Sequence, residues 1–347
     1  MDKYLCTLAL LGFGNVGRAF ARLLLAKRDE LHRRYGLTCR VVGIATGRHG
    51  AAIDPEGIDL ERALALAEKG GSLAKLATSP QPGSGIAFVQ ECRADVLVET
   101  TPVDYQTGQP AVDFLRTALN LGMHAITANK GPVVHAYRQL SELAQAHGRR
   151  FYFESAVMDG APIFSLWREA LPGARLLSFR GILNSTTNLI LTLMEEGRSF
   201  EDALARAQSI GVAETDPSGD IQGWDAAVKV AALATVLMDA PLKPDQVDRK
   251  GIERLTAEEV EAARIQGRRW KLICRAAKEG DALQASVCPE LIGADDPLYN
   301  IMGTSSAVTF HADVLSGLTI VESDPGPETT AYGLLADLLH AVGGAPA

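Results

Sequence analysis

Over the first 150 residues, short apolar runs alternate with stretches whose apolar positions recur at helical spacing. The pattern predicts strands at 4–11, 40–45, 95–99 and 124–128, with helices at 16–32, 59–77, 110–121 and 132–147. Regular alternation of strand and helix predicts an α/β domain with a doubly wound parallel sheet. The run TSPQPGSG at 78–85 is turn-rich and is expected as a surface insertion within that domain.

From Phe151 the rhythm changes. Strands are expected at 151–157, 176–183, 270–277, 282–287, 307–311 and 318–322, with several helices among them. The last two follow closely enough for an antiparallel hairpin. A separate α+β domain with a mixed sheet is the natural reading. A final amphipathic helix at 329–342 could pack on either domain. The expected division is therefore 1–150, 151–322, and a segment 323–347 that returns to the first domain.

Length agrees with two domains, since 347 residues exceed one typical domain and fall short of three. With 47% hydrophobic and 22% charged residues the composition is that of an ordinary globular chain. No apolar run approaches the length of about eighteen residues that crosses a bilayer. The opening MDKYLCTLALLGFGNVG lacks a signal-peptide cleavage pattern, so a cytoplasmic location is expected, with no membrane partner. The five cysteines are odd in number and never spaced C-x-x-C, which argues for buried free thiols rather than a disulfide framework or zinc site. A net charge of −8 argues against a nucleic-acid partner. The short basic cluster Arg268-Arg269-Trp270-Lys271 is read as a solvated face or strand edge.

Candidate chemistry begins at LLGFGNVGRAF, where Gly12-x-Gly14-x-x-Gly17 lies between an apolar strand and an amphipathic helix. Small residues there let the backbone amides of Gly12, Phe13, Gly14, Asn15, Val16 and Gly17 approach a pyrophosphate at the helix N-terminus, as in a Rossmann dinucleotide-binding domain. The second strand closes with IATGRH and offers no carboxylate before Asp54 for a ribose 2′-hydroxyl. Arg48 could meet a 2′-phosphate instead, which favours NADP, with NAD as the alternative. Thr100 and Thr101 end the strand DVLVE at the edge where ligands of open α/β sheets sit, and Lys130 emerges from the next strand.

A different signal lies at GVAETDPSGDIQGWDAAVKV, residues 211–230. The helix it enters, 223–238, is apolar nearly all round except for Asp225 and Lys229, one turn apart on one face. An ion pair on a buried helix is costly unless it serves something, and a partly desolvated lysine is suited to proton transfer. The carboxylates of the preceding turn-rich loop suit the ammonium of an amino-acid substrate. The hydroxyl-rich run Asn184 to Asn188, before a helix from about Leu189, reads either as an N-cap or as pocket lining. Together these residues predict a nicotinamide oxidoreductase acting on a small amine-bearing molecule.

The glycine fingerprint, TANKGPV, FESAVMDGAPI, GILNSTTNLIL and GVAETDPSGDIQGWDAAVK, spread over nearly the whole chain, resemble homoserine dehydrogenase in its short form without an ACT domain. The resemblance implies NAD(P)-dependent interconversion of aspartate 4-semialdehyde and homoserine, on the route to threonine and methionine. It implies that Glu214 and Asp220 bind the homoserine end of the substrate, with Thr186 in the pocket. It also implies that Asp225 and Lys229 do the acid-base work, with Lys130 a second lysine of the cofactor and substrate site and either lysine able to serve as the principal proton donor. Gly326 would touch the nicotinamide side. Some members bind Na+ through a glutamate and backbone carbonyls, which here would be Glu154 with Val157, Asp159 and Ala161, in a turn less glycine-rich than usual. A homodimer formed through the second domain is a further implication. The rival readings are an NADP oxidoreductase of another amino-acid aldehyde or alcohol, and a non-catalytic NADP-binding sensor.

Overall fold

The computed structural model describes residues 4–280 and 282–343. The chain divides into two compact units, Met1–Pro162 with Gly326–Ala347, and Ile163–Pro325.

The first unit opens with β1 (Tyr4–Leu11) and α1 (Asn15–Tyr35). Helix α1 buries Phe20, Leu24 and Leu31 along one face and ends at Gly36, whose N–H donates to the Leu31 carbonyl. Next come β2 (Leu37–Thr46), β3 (Gly50–Ile53), α2 (Leu60–Glu68) and α3 (Gly85–Cys92). Then follow β4 (Val96–Glu99), α4 (Ala111–Asn120), β5 (His124–Thr127), α5 (Lys130–Ala146) and β6 (Phe151–Tyr152). The sheet order is β3-β2-β1-β4-β5-β6, parallel except for the antiparallel β2–β3 pair.

Three expectations change here. The helix expected over 59–77 breaks at Gly70-Gly71 and resumes only as a single 3-10 turn, Leu73–Leu76. Helix α3, too short to show helical periodicity, follows the 78–85 loop. The strand expected over 151–157 ends at Tyr152 and pairs with β5, so a boundary at 150 cuts through the first sheet. Its apolar run is interrupted by buried Glu154, which starts a 3-10 turn instead.

The second unit contains β7 (Leu176–Ile182), α6 (Ser185–Glu195), α7 (Phe200–Ser209), α8 (Ser218–Ile221), α9 (Trp224–Leu237) and β8 (Asp248–Arg249). It continues with α10 (Ala257–Ile265), β9 (Arg269–Glu279), β10 (Ala282–Ile292), β11 (Ser306–Ala312) and β12 (Leu318–Glu322). The mixed sheet runs β12-β11-β7-β9-β10-β8, with β8 parallel to β10 and the other pairs antiparallel. Helix α9 is buried on almost every side, as its composition requires, and packs on β9 and β10.

The basic cluster at 268–271 is only partly a solvated face: Arg268 is exposed, but Lys271 is not. Lys271 is 0% exposed, because Asn188 of α6 and the segment at 301–302 close over its side chain. Its ammonium donates to Asn188 Oδ1 at 2.9 Å and to the Ile301 carbonyl at 2.6 Å, so burial does not leave it unbonded.

The chain returns to the first unit as α11 (Pro327–Ala341). Its Ala331, Leu334, Leu335 and Leu338 join the core formed by Phe20, Leu24 and Leu31 of α1. Asp337 Oδ2 accepts the Glu154 N–H at 2.7 Å, and Ser155 Oγ donates to the Thr330 carbonyl at 2.7 Å. No described helix is long and apolar enough to cross a membrane.

Candidate active site

In the first sheet, β1 is flanked by β2 on one side and β4 on the other, with Leu11 opposite Glu99. Strand order reverses at this point, and open α/β sheets bind ligands beyond the carboxyl ends of such strands. The chain leaves β1 through Gly12, whose φ is +107° and whose N–H donates to the Ala45 carbonyl at 2.8 Å. A Cβ at Gly12 would lie 2.5 Å from the Thr100 carbonyl oxygen, and one at Gly17 would lie 2.4 Å from the Gly12 oxygen. Only glycine closes this turn. A Cβ at Gly14, by contrast, would meet nothing within 4 Å. Open space there, with no acid in the first turn of α1 and no side chain capping its N-terminus, suits a pyrophosphate.

The rest of the fingerprint divides by burial. Phe13 is buried and Val16 packs on the core, whereas Asn15 is exposed and accepts a hydrogen bond from Arg18 Nη2 at 3.0 Å. Arg48 is exposed in the turn between β2 and β3, its backbone N–H held by Thr46 Oγ1 at 3.1 Å.

At the end of β4, the Thr100 N–H donates to the Leu11 carbonyl at 2.8 Å and Thr100 Oγ1 to the Gly12 carbonyl at 3.0 Å. Thr101 turns back instead, donating both its N–H (2.6 Å) and its hydroxyl to Glu99 Oε1. Glu99 Oε2 accepts the Thr127 hydroxyl at 2.5 Å, and Thr127 Oγ1 in turn accepts the Asn129 N–H at 2.9 Å. Asn129 caps α5 by accepting the Gly131 N–H at 2.9 Å, and its amide donates to the Thr101 carbonyl at 3.3 Å. Half-buried Lys130 is the first residue of that helix. Glu99, 0% exposed, therefore ties the Thr100–Thr101 loop to the loop that presents Lys130. Burial pushes its carboxyl up, and the hydrogen bonds from Thr101 and Thr127 pull the other way. Strand pattern placed Glu99 at this edge but gave no sign of the enclosure.

Gly326 caps α11, its carbonyl accepting the hydroxyls of Thr329 at 2.8 Å and Thr330 at 2.9 Å. Glu154, Val157 and Ala161 are buried, and Asp159 adopts a left-handed φ of 45° in the same turn. Among the described residues no group of three or more His, Cys, Asp or Glu side chains is placed to hold a metal, and nothing observed supports the expected Na+.

In the second unit, Asp225 and Lys229 meet as the helical spacing predicts: Nζ lies 2.9 Å from Asp225 Oδ2, with the two side chains 17% and 11% exposed for lysine and aspartate. Lys229 Nζ also donates to the Leu183 carbonyl at 2.6 Å, at the end of β7. Asn184, the N-cap of α6, donates its amide to Asp220 Oδ1 at 2.7 Å and to Asp225 Oδ2 at 3.1 Å. Burial and the neighbouring Asp225 charge push the Asp220 carboxyl up, while hydrogen bonds from Asn184 and Thr186 and the Lys229 charge oppose this. Thr186 Oγ1 donates to the Val212 carbonyl at 3.2 Å. Glu214 stands exposed on the same acidic loop, outside this hydrogen-bonded cluster. Helix α6 begins at Ser185 rather than near Leu189, because Asn184 supplies the cap. A desolvated carboxylate–ammonium pair with a second carboxylate beside it can pass a proton to and from a substrate oxygen.

Comparison with known proteins places this geometry in context. Residues 162–339 match the family model described as homoserine dehydrogenase, and residues 12–154 match homoserine dehydrogenase, NAD binding domain. The NAD(+)-dependent homoserine dehydrogenase of Pseudomonas canavaninivorans is 37% identical, over 96% of this chain and 95% of that one. The homoserine dehydrogenase of Methanocaldococcus jannaschii is 40% identical, over 95% of this chain and 97% of that one. A hyperthermophilic archaeal homoserine dehydrogenase solved in complex with NADPH superposes with a TM-score of 0.82 at 29% identity, covering 99% of each chain.

Proposed function

The chain belongs to the homoserine dehydrogenase family, and on that premise we propose that Lys229 and Asp225 carry the proton in its interconversion of L-homoserine and L-aspartate 4-semialdehyde. The protein is an NAD(P)-dependent oxidoreductase acting on a CH–OH group, a reaction that serves threonine and methionine biosynthesis. A bound nicotinamide dinucleotide supplies the hydride for reduction and takes it back in oxidation.

Lys229 donates its proton to the carbonyl oxygen as the aldehyde is reduced and withdraws it from the hydroxyl in the reverse direction. Asp225 holds the ammonium in place and stabilises its charged form. Asp220, Glu214 and Thr186 receive the amino-acid end of the substrate. The turn Gly12 to Gly17 takes the pyrophosphate, with Thr100, Thr101, Lys130 and Gly326 beside the dinucleotide. The single observation that carries this reading is the 2.9 Å Asp225–Lys229 pair on a helix otherwise buried for packing.

Between the two dinucleotides, exposed Arg48 and the absence of a carboxylate from β2 to Asp54 favour NADP. The name of the Pseudomonas canavaninivorans relative favours NAD. Homoserine-dependent appearance of reduced nicotinamide absorbance, run in parallel with NAD+ and NADP+, separates them. In the same assay Lys229→Ala is expected to lower kcat by about 10²–10⁴-fold, with dinucleotide affinity unchanged. Near-normal turnover of that variant removes Lys229 from the mechanism.

A further inference from the structure

Two carboxylates in the second unit, Asp220 on α8 and Asp225 on α9, share one amide. Asn184 Nδ2 carries two hydrogens and lies 2.7 Å from Asp220 Oδ1 and 3.1 Å from Asp225 Oδ2, so each receives one. The other side of the amide is fixed too, since Asn184 Oδ1 accepts the Thr187 N–H at 2.9 Å as the N-cap of α6. Turning the amide over would set its oxygen against two carboxylates and its NH2 against an N–H donor. The helix it caps is buried from Thr186 to Met194 and cannot drift. Without that donor two like charges would face each other in a largely desolvated place, which favours protonating one of them.

We propose that Asn184 is a positioning residue of the reaction: its amide holds Asp225 in the orientation that bonds Lys229 and keeps Asp220 beside it as a second charged acceptor. The proposal rests on Asp225 and Lys229 forming the acid-base pair. Asp225 Oδ2 is the atom that meets both the Asn184 amide and Lys229 Nζ, so the amide and the ammonium fix one carboxylate oxygen from two sides. Among the groups facing this carboxylate are Asp220 from α8, Lys229 from α9, the Asn184 amide at the start of α6 and the Cys274 thiol of β9. Burial pushes that thiol up to about 12, so it stays neutral in the working range and adds no charge.

Two variants separate the amide from the cap. Asn184→Ser retains a good N-cap oxygen but cannot bridge both carboxylates, and Asn184→Asp keeps cap and shape while adding a third carboxylate. Both are measured for melting temperature, dinucleotide affinity and the pH profile of kcat with homoserine. The expected result is a near-native melting temperature and unchanged dinucleotide affinity for Asn184→Ser. Its acid limb should move to higher pH by about one unit, since the lost hydrogen bond had favoured the charged carboxylates. The limb of Asn184→Asp should move further.

An acid limb in the wild-type position for both variants overturns the proposal, whatever the loss in kcat. Should Asn184→Ser fail to fold, the isosteric Asn184→Asp carries the test alone. The underlying assignment fails separately: an active Lys229→Ala removes the acid-base pair and this proposal with it. An inactive Lys229→Ala with unshifted Asn184 profiles removes only the role of the amide.

Discussion

Replacing Lys271 by methionine measures what a charge enclosed in the second unit does to stability. The ammonium is 0% exposed and is accepted by Asn188 Oδ1 and the Ile301 carbonyl. Burial pushes its pKa down from the ordinary 10.5 to about 8, with the Glu195 charge opposing. A lysine whose pKa is lower folded than unfolded binds fewer protons in the native state, so between about pH 8 and 10.5 stability rises with pH. At 1.36 kcal/mol for each pH unit, the gap corresponds to about 3 kcal/mol. Below pH 8 both states hold the proton and the contribution to the slope vanishes. Methionine removes the buried charge but also leaves Asn188 Oδ1 without the lysine donor, at about 1–3 kcal/mol, while the Ile301 carbonyl keeps the Asn188 amide, so the difference at neutral pH is a poor measure. The slope is the diagnostic quantity. The thiols of Cys39, Cys92 and Cys274, pushed up to about 12, act in the opposite sense above pH 9, but they are common to both proteins and cancel in the difference. Urea unfolding at pH 7, 8, 9 and 10 should show the wild type gaining about 2–3 kcal/mol on Lys271→Met across that series. Parallel curves would refute the account of Lys271 as a desolvated ammonium.

Two further predictions concern the first unit. Gly12→Ala places a Cβ 2.5 Å from the Thr100 oxygen on a backbone with φ of +107°, so dinucleotide binding should be lost and stability should fall by at least the roughly 1–3 kcal/mol of such strain; a fluorescence titration showing native affinity contradicts this. Glu99→Gln puts an NH2 where Thr101 or Thr127 donates, which costs about 1–3 kcal/mol and loosens both loops around the dinucleotide. Its KM for the dinucleotide should rise about tenfold, and an unchanged KM with an unchanged melting temperature would show that Glu99 does not hold them.

Some of the site was legible because its geometry is local. Gly12, Gly14 and Gly17 stand between one strand and one helix, and their steric reasons lie within a few residues of themselves or on the neighbouring strand. Asp225 and Lys229 are one helical turn apart, so their 2.9 Å contact follows from helix geometry alone. The β11–β12 hairpin likewise follows from its short connection, whereas the parallel pairing of two-residue β8 with β10 that makes the second sheet mixed does not. Glu99 and Asn184 were harder. Glu99 finds Thr127 28 residues away, and Asn184 reaches Asp225 across 41, so nothing in the spacing of either stretch announces the partner.

Burial worked the same way. The basic run at 268–271 has the composition of a wet surface, and only the folding of α6 and the 301–302 segment against β9 encloses Lys271. Periodicity made α11 an amphipathic helix, yet the apolar face of such a helix fits any core; the chain's return to α1 chose which. Sequence determined the elements, the glycine turn and the Asp225–Lys229 pair, since those depend on backbone sterics and contacts within a turn. Tertiary structure alone decided where Glu99, Asn184 and Lys271 find their partners, because a buried polar group is satisfied by whatever distant chain folds against it.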